Sequence, residues 1–340
     1  YPGSARAHSA LGLAYNTKGD YRRAEERFRR AVELDPGFSD DRYNLALSLY
    51  GLGRYPEAIE EARRAVSLDP AMEEGHRLLG RAYAAVGKYS EAASTYKTLI
   101  EKFERGEAED HYQLAIAYRN AGKNEVAASS FKRCLKKDQA HFNCVFMLGE
   151  YHRGEGEMEE AGRYYSRAAA IDPLSHQAHY FLGLVRIALD DEEGAETHFI
   201  RALKIEPRLT DARYKLGEIY QHKGQTEKAI GEYREVVKLK PDHPLAHSRL
   251  GFLYDDLSRY EEAVREYREA IRIEGNRAEV HNNLGVTLFK MKRYEEAEAA
   301  YHEALRLEPV SARTHNNLGL VYQKLGLHEK AIEEFKKASE

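Results

Sequence analysis

The sequence has few cysteines, no long hydrophobic run and almost no net charge, and each shortage excludes a class of protein. Two cysteines among 340 residues are too few for a disulfide framework. No stretch approaches the roughly 18 uninterrupted apolar residues of a transmembrane helix, so the sequence predicts no membrane insertion. Lysine and arginine number 52 against 56 for aspartate and glutamate, which gives a net charge of −4. Because this balance offers no general attraction for polyanions, nucleic acid is not an expected partner.

The two cysteines, Cys134 and Cys144, lie near the end of one predicted helix and the start of the next, so they could be neighbours in space. We expect a buried pair of free thiols, because cysteine is among the most frequently buried residues, with a disulfide as the alternative. No CxxC pattern or Cys/His cluster with zinc spacing accompanies them. The sequence therefore predicts no metal site and no cofactor.

What the sequence does contain is a unit of 34 residues that recurs along the whole chain. Position 7 of the unit is leucine and position 20 is alanine in all ten copies, position 8 is small, and position 24 is aromatic in nine. The ten units start at residues 5, 39, 73, 108, 142, 176, 210, 244, 278 and 312, and the last is truncated. A fixed period of this size indicates a repeat array.

Each unit is predicted to be an antiparallel pair of helices, a first helix and a second helix. Positions 4, 7, 8 and 11 recur at the spacing of one helical face, and so do positions 20, 24 and 27. Glycine at position 15 in seven units marks the point where the first helix ends and the chain turns. Since neither helix can bury its apolar face alone, the pairs must stack into a solenoid.

This skeleton resembles the tetratricopeptide repeat, with its bulky residue, Leu-Gly and aromatic, followed by alanine, an aromatic, alanine and proline. The match extends over essentially the whole chain. The resemblance implies an all-α fold, a single array over residues 1–340. It also implies a right-handed superhelix in which first helices line a concave channel and second helices form the outer wall.

Two departures from the pattern lead to further expectations. One extra residue falls within 101–110, where Glu104 replaces the expected proline, and we expect a lengthened helix or a longer loop there. The chain also stops inside the second helix of the tenth unit without a polar cap, and it begins without methionine. We therefore expect a segment of a longer protein, whose uncapped ends could self-associate. An upstream targeting segment could be missing, and a cytoplasmic location is slightly favoured.

Fifteen histidines suggest a metal or catalytic site, but their spacing argues against one. Successive repeats keep equivalent groups about 8–10 Å apart, whereas zinc ligands lie about 2 Å from the ion. We therefore expect a packing role for the histidines that share position 4. These are His8, His76, His111, His179, His247, His281 and His315.

The resemblance places the candidate binding residues in the channel, because positions 2, 5, 6, 9, 12 and 13 of the first helix point there in the family. Aromatic and arginine side chains most often dominate binding energy, and asparagine can both donate to and accept from a peptide backbone. We expect Tyr112 and Tyr180 to lie outside the packing between the two helices of a repeat. The candidates are Tyr43, Asn44, Arg77, Arg81, Tyr112, Arg119, Phe146, Arg153, Tyr180, Tyr214, Asn283 and Asn317.

The sequence contains no phosphate-binding loop, dinucleotide fingerprint, nucleophile elbow or zinc-protease motif, so no enzymatic activity is expected. The expected function is a non-catalytic scaffold that binds a peptide or a partner protein in its channel. One alternative is a substrate-recruiting arm of a larger enzyme or of a secretion or assembly machine. A weaker alternative is nucleic-acid binding, which would show as a steep salt dependence of affinity.

Overall fold

The structure is a computed structural model that describes residues 4–103 and 106–340. Those residues form helices joined by short turns and contain no strand, which confirms the predicted all-α class. None of the described helices is long and apolar enough to cross a bilayer. The chain divides into two compact units, Tyr1–Pro173 and Leu174–Glu340. The single continuous array over residues 1–340 stays a prediction.

Unit 1 contains five helix pairs, numbered α1 to α10, in which odd numbers are first helices and even numbers are second helices. They are α1 (Ala5–Thr17), α2 (Tyr21–Leu34), α3 (Ser39–Gly51), α4 (Tyr55–Leu68), α5 (Glu73–Ala85), α6 (Tyr89–Phe103), α7 (Ala108–Asn120), α8 (Asn124–Lys137), α9 (Phe142–Gly154) and α10 (Met158–Ile171).

Unit 2 repeats this arrangement with α11 to α20. They are α11 (His176–Ala188), α12 (Glu192–Ile205), α13 (Thr210–His222), α14 (Thr226–Leu239), α15 (Pro244–Asp256), α16 (Tyr260–Ile273), α17 (Ala278–Lys290), α18 (Tyr294–Leu307), α19 (Ala312–Lys324) and α20 (His328–Ser339).

The helices stack in chain order within each unit. Every first helix packs against the second helix of its own repeat, and that second helix packs against the first helix of the next. Some first helices also contact each other, such as α1 with α3 and α17 with α19. The first helices therefore form a continuous surface in each unit, which we call the first-helix surface.

The core consists of the residues that define the repeat. The leucine at position 7 is buried in nine repeats, and the exception is Leu11 of the first, which is 39% exposed. The alanine at position 20 is buried in all ten. Aromatic side chains at position 24, such as Tyr165 and Phe199, are among the largest fully buried groups. The helical periodicity therefore identified the buried faces correctly.

The turn between the two helices of a repeat requires a left-handed backbone at position 15. All seven glycines predicted there have φ between 67° and 80°. The other three repeats place Asp190, Ser258 and Lys292 at this position, with φ of 56°, 59° and 61°. The left-handed turn is thus a property of the repeat, even where its residue carries a side chain.

The segment with the extra residue lies at the end of α6. That helix has 15 residues, one more than the second helices of the neighbouring repeats. The next helix, α7, begins after a connection of the usual length. Glu104 lies outside the described residues. Within the described part of 101–110, the insertion is thus accommodated by a longer helix.

Close packing between the helices of a repeat depends on the small residue at position 8. A Cβ atom built on Gly251 would lie 2.7 Å from ring atoms of Tyr267, the position 24 aromatic of that repeat. Similar overlaps arise at Gly149 with Tyr165 and at Gly183 with Phe199. The aromatic ring therefore occupies the space that a side chain at position 8 would need.

We expect Gly251→Ala to lower the free energy of unfolding by about 1–3 kcal/mol, because the added methyl group overpacks the contact with Tyr267. Gly231→Ala in α14 is a matched control, since a Cβ atom there meets nothing within 4 Å. Its expected effect is a gain of about 1 kcal/mol from helix propensity. Urea unfolding of both variants measures the difference, and equal stabilities would contradict this account of position 8.

The expectation of free thiols is wrong, because Cys134 and Cys144 are joined by a disulfide. Cys134 lies near the end of α8 and Cys144 in the first turn of α9, and both are fully buried. Their Cα atoms are 6.6 Å apart, within the range that a disulfide spans. Burial could be inferred from the repeat pattern, but the approach of the two sulfur atoms depends on how α8 packs on α9.

Candidate functional site

The candidate residues from the sequence are divided between the first-helix surfaces of the two units. Unit 1 carries Tyr43, Asn44, Arg77, Arg81, Tyr112, Arg119, Phe146 and Arg153. Unit 2 carries Tyr180, Tyr214, Asn283 and Asn317.

The aromatic side chains at position 5 pack between the two helices of their own repeat. In four repeats the ring lies against the position 24 aromatic of the second helix, with centroids 5.4–6.0 Å apart, whereas the repeat of Tyr43 has Ala62 at position 24. The pairs are Tyr112 with Phe131, Phe146 with Tyr165, Tyr180 with Phe199, and Tyr214 with Tyr233. The expectation that Tyr112 and Tyr180 lie outside this packing is wrong, because rings this large reach across the gap above the small residue at position 8. Replacing them would disturb the fold as well as any binding surface.

Phe146 is the most enclosed of these aromatics. Only 8% of it is exposed, and its ring also stacks on Phe142 at 5.8 Å. It therefore offers little surface to a partner.

Arg77 is committed to a contact between repeats 3 and 4. Its guanidinium donates to both carboxylate oxygens of Asp110, at 2.9 and 3.1 Å, and also to Glu73 at 3.1 Å. The hydrogen bonds that Arg77 donates to Asp110 raise the pKa of Arg77 above its ordinary value. Asp110 also accepts from the backbone N–H of Glu107, the N-cap residue of α7. The contacts of Arg77 thus tie α5 to α7.

Arg81 differs from Arg77 in being exposed. Its guanidinium lies over the ring of Tyr50, 5.1 Å from the centroid. Burial raises the pKa of the half-buried Tyr43. The charge of Glu74 raises this pKa further, and the charge of Arg81 lowers it. In the described part of the chain, no carboxylate lies within ion-pair distance of Arg81.

The candidate asparagines are bonded to their own helix or to a neighbour. The amide of Asn44 donates to the backbone carbonyl of Asp40 at 2.8 Å. In unit 2, the amide of Asn317 donates to the side-chain oxygen of Asn282 at 3.2 Å, and Asn282 donates to Asn283 at 3.4 Å. Each candidate asparagine thus has a partner within the protein.

A cavity of about 280 Å³ lies between repeats 4 and 5 on the first-helix side of unit 1. Arg119 stands at its edge, where Nη1 contacts the sulfur of Met147 at 2.8 Å. No carboxylate among the described residues lies within ion-pair distance of this exposed guanidinium. The other lining residues are Asn124, Ala127, Ala128, Phe131, Glu150, Tyr151, Gly154 and Glu155.

The wall of this cavity is fixed by a polar cluster around Glu150. The Tyr165 hydroxyl donates to one of its oxygens, and Arg153 donates to the other at 3.2 Å. Hydrogen bonds that Arg153 makes with Glu150 and Tyr165 raise the pKa of Arg153, while its partial burial lowers it. Arg153 therefore helps to fix the position of Glu150, whereas Arg119 is the arginine at the edge of the cavity.

Sequence reasoning did not select Met147 and Glu150, although both occupy channel positions. They stand at positions 6 and 9 of the fifth repeat, which the family resemblance places in the channel. The repeat position alone was therefore sufficient to select both residues. The cavity itself could not be inferred, because it depends on how α7, α8 and α9 pack.

The histidines at position 4 hold the preceding loop in place. The ring Nε2 donates to the backbone carbonyl six residues earlier, at 3.0–3.2 Å. The pairs are His76 with Pro70, His247 with Pro241, His281 with Gly275, and His315 with Pro309. Arg42 and Arg213, at the same position, donate to the carbonyls of Pro36 and Pro207. Most of these histidine rings are buried, so they combine packing with hydrogen bonding.

We expect His247 to make stability depend on pH. Burial lowers its pKa, but the bonds to Glu266 and to the Pro241 carbonyl outweigh this and raise the pKa above its ordinary value. The added stability is therefore complete below the unfolded-state pKa, about 6.5. It is lost as the pH rises through the folded-state pKa.

Urea unfolding of wild type and His247→Gln over a series of pH values measures this effect. The difference in free energy of unfolding should shrink as the pH rises, because only a protonated ring donates to both partners. His222→Gln controls for the loss of a histidine, since its side chain is 70% exposed. A difference that widens with pH would contradict the assignment.

The structure brings one group of possible metal ligands together at the junction of repeats 4 and 5. One nitrogen of His141 and the sulfur atoms of Cys134 and Cys144 all lie within 4.8 Å of one another. The two cysteines of this group are joined in the disulfide, and the absence of a metal site stays a prediction. Their spacing in the sequence does not follow a zinc motif, and the cluster forms because His141 precedes α9 and folds back on its first turn.

Comparison with known proteins agrees with this architecture. Models described as tetratricopeptide repeat match residues 1–39, 9–73, 49–117, 112–176, 176–209 and 276–340. A model described as TPR repeat matches residues 219–258 and 254–292. The comparison with curated proteins gives no match.

Similar solved structures include the C-terminal part of a TPR repeat-containing protein from Cytophaga hutchinsonii. It is 16% identical with a TM-score of 0.55, over 81% of this chain and 99% of that one. PilF of Pseudomonas aeruginosa is 19% identical with a TM-score of 0.50, over 60% of this chain and 92% of its own. MamA is 26% identical with a TM-score of 0.45, over 46% of this chain and 92% of its own.

The first two likenesses show a shared fold, and the repeat models together cover most of the residues. The chain belongs to the tetratricopeptide repeat family.

Proposed function

We propose that this protein is a non-catalytic scaffold that binds a segment of another protein on its first-helix surface. In this proposal, the cavity beside Arg119 in unit 1 receives an anchoring side chain of the partner. The observation that carries the proposal is an exposed guanidinium without a carboxylate partner in the described structure, placed at the edge of a recess whose walls are part apolar and part polar.

The size of the cavity favours a protein ligand. Sites for small molecules and cofactors enclose roughly 300–1,000 Å³. A volume of about 280 Å³ is at or below this range, and it fits one or two side chains. Met147 is half-buried and provides the accessible apolar contact, since Ala127, Ala128 and Phe131 are only 2–4% exposed. An aliphatic or aromatic side chain of the partner suits this contact.

The charges indicate what should flank that anchor. Arg77 and Arg153 are paired with carboxylates, whereas Arg81 and Arg119 present exposed guanidinium groups on the same unit. Guanidinium groups bind carboxylates in a fixed bidentate geometry. The partner segment should therefore carry an acidic residue close to its apolar anchor.

Panning of a random peptide library displayed on phage against the immobilised chain tests the proposal. We expect enriched peptides to combine an apolar anchor with aspartate or glutamate. Arg119→Ala should weaken their binding at least about tenfold in calorimetric titration, because arginine at the rim of a pocket is often a dominant contact. Arg163→Ala is the matched control, since it removes an arginine that is 75% exposed on the second helix α10.

Binding should survive Arg163→Ala unchanged. Enriched peptides that bind Arg119→Ala as tightly as wild type would place the binding surface elsewhere. A library that yields no binding peptide would contradict the proposed function itself.

A further inference from the structure

The junction between repeats 4 and 5 has the components of a metal site. Cys134 and Cys144 are fully buried, and His141 lies beside them with 14% of its side chain exposed. The two sulfur atoms and one imidazole nitrogen lie within 4.8 Å of one another. Ligand atoms around a tetrahedral zinc ion, with bonds of about 2.0–2.3 Å, are separated by less than this distance. Small side-chain movements would bring them to one ion.

Each ring nitrogen of His141 has a hydrogen-bonding partner. Its Nδ1 accepts a hydrogen bond from the backbone N–H of Cys144 at 3.3 Å, and because Nδ1 has one lone pair, this bond must be given up when the nitrogen binds a metal. Its Nε2 lies 3.3 Å from a carboxylate oxygen of Glu109. The ring of Tyr112 packs against the imidazole, with centroids 5.4 Å apart. A histidine that ligates zinc through one nitrogen commonly donates its other N–H to a carboxylate, as this arrangement allows.

We propose that reduction of the Cys134–Cys144 disulfide creates a zinc site formed by the two thiolates and Nδ1 of His141. A dithiol reductant supplies two electrons and two protons, so the bond between the sulfur atoms breaks, two thiols form and the reductant becomes a disulfide. Zinc then displaces one proton from each thiol and binds the lone pair of His141 Nδ1, which releases the backbone N–H of Cys144. Glu109 accepts the Nε2–H of His141 and acts as a positioning residue.

Charge balance and ligand chemistry both favour a thiophilic divalent cation. Two thiolates and a neutral imidazole cancel the charge of Zn²⁺, so the buried site carries no net charge. Thiolate and imidazole together favour zinc over the hard cations magnesium and calcium, which take oxygen ligands. Because His141 reaches the surface, a water molecule can complete the fourth position.

Cobalt(II) is the probe for this site, because thiolate-to-cobalt charge transfer and d–d absorption report sulfur ligation and tetrahedral geometry. The chain is reduced with a trialkylphosphine, which is oxidised to the phosphine oxide, and loss of the disulfide is checked by thiol titration. We expect one equivalent of cobalt to bind the reduced chain and zinc to displace it. The oxidised chain should show no charge-transfer band.

Variants identify the ligands. His141→Asn retains a side chain that can cap α9 but removes the imidazole, so cobalt affinity should fall at least about tenfold. Glu109→Gln should reduce affinity by roughly 10- to 100-fold through the orientation of His141. His222→Asn, in unit 2, is the matched control and should leave affinity unchanged. Circular dichroism of each reduced variant checks that the helices persist.

Failure of the reduced, folded chain to give a charge-transfer band would overturn the proposal. So would a His141→Asn variant with wild-type affinity, or equal binding by the oxidised chain. None of these results depends on the peptide ligand of the first-helix surface.

Discussion

Arg77→Met should lower the free energy of unfolding by about 3–5 kcal/mol, the range seen when one partner of a buried ion pair is removed. The Asp110 side chain is 3% exposed, and both of its oxygens accept from Arg77. Without the guanidinium, the buried carboxylate keeps the backbone N–H of Glu107 as its donor among the described residues. The loss of stability therefore arises from the buried carboxylate of Asp110, which is left without its ion-pair partner.

Arg163→Met is the matched control for this experiment, because Arg163 pairs with Glu160 on the exposed face of α10. Exposed pairs contribute less than about 1 kcal/mol, so this variant should unfold near the wild-type midpoint. Adding Asp110→Leu to Arg77→Met should recover part of the loss, since the unpaired charge is removed. An Arg77→Met protein as stable as wild type would assign this arginine to the binding surface instead.

Leu148→Ala should cost about 2–5 kcal/mol, because it opens a cavity in the core of the fifth repeat. Leu148 is fully buried at position 7 of the fifth repeat. Leu11→Ala makes the same change at the same position of the first repeat, where the side chain is 39% exposed. Urea unfolding should show a much smaller loss for Leu11→Ala. A loss well under about 1 kcal/mol for Leu148→Ala would mean that the repeat register is wrong there.

The sequence determined the helix pairs and their cores because those features repeat with the period of the chain. Leucine at position 7, glycine at position 8 and alanine at position 20 follow from the need of each helix to bury one face. The left-handed turn at Asp190, Ser258 and Lys292 follows by analogy with the seven glycines, although the residues themselves give no such signal.

The details of the site could not be read in this way, because they depend on contacts between repeats. Asp110 looks like an ordinary acidic residue in a first turn, and only the stacking of α5 on α7 pairs it with Arg77. The same is true of Asn282 with Thr314 and of Asp255 with Thr287, each 32 residues apart. Helical periodicity assigns a residue to a face, but its partner on the next repeat depends on the geometry of stacking.

The link between Cys134 and Cys144 also bears on the order in which unit 1 opens. A solenoid repeat contacts only its neighbours, so opening can start at any junction and spread from there. The covalent bond holds the end of α8 to the start of α9 whichever junction opens first. In the oxidised chain, the order in which backbone amides exchange with solvent therefore depends on the disulfide as well as on packing.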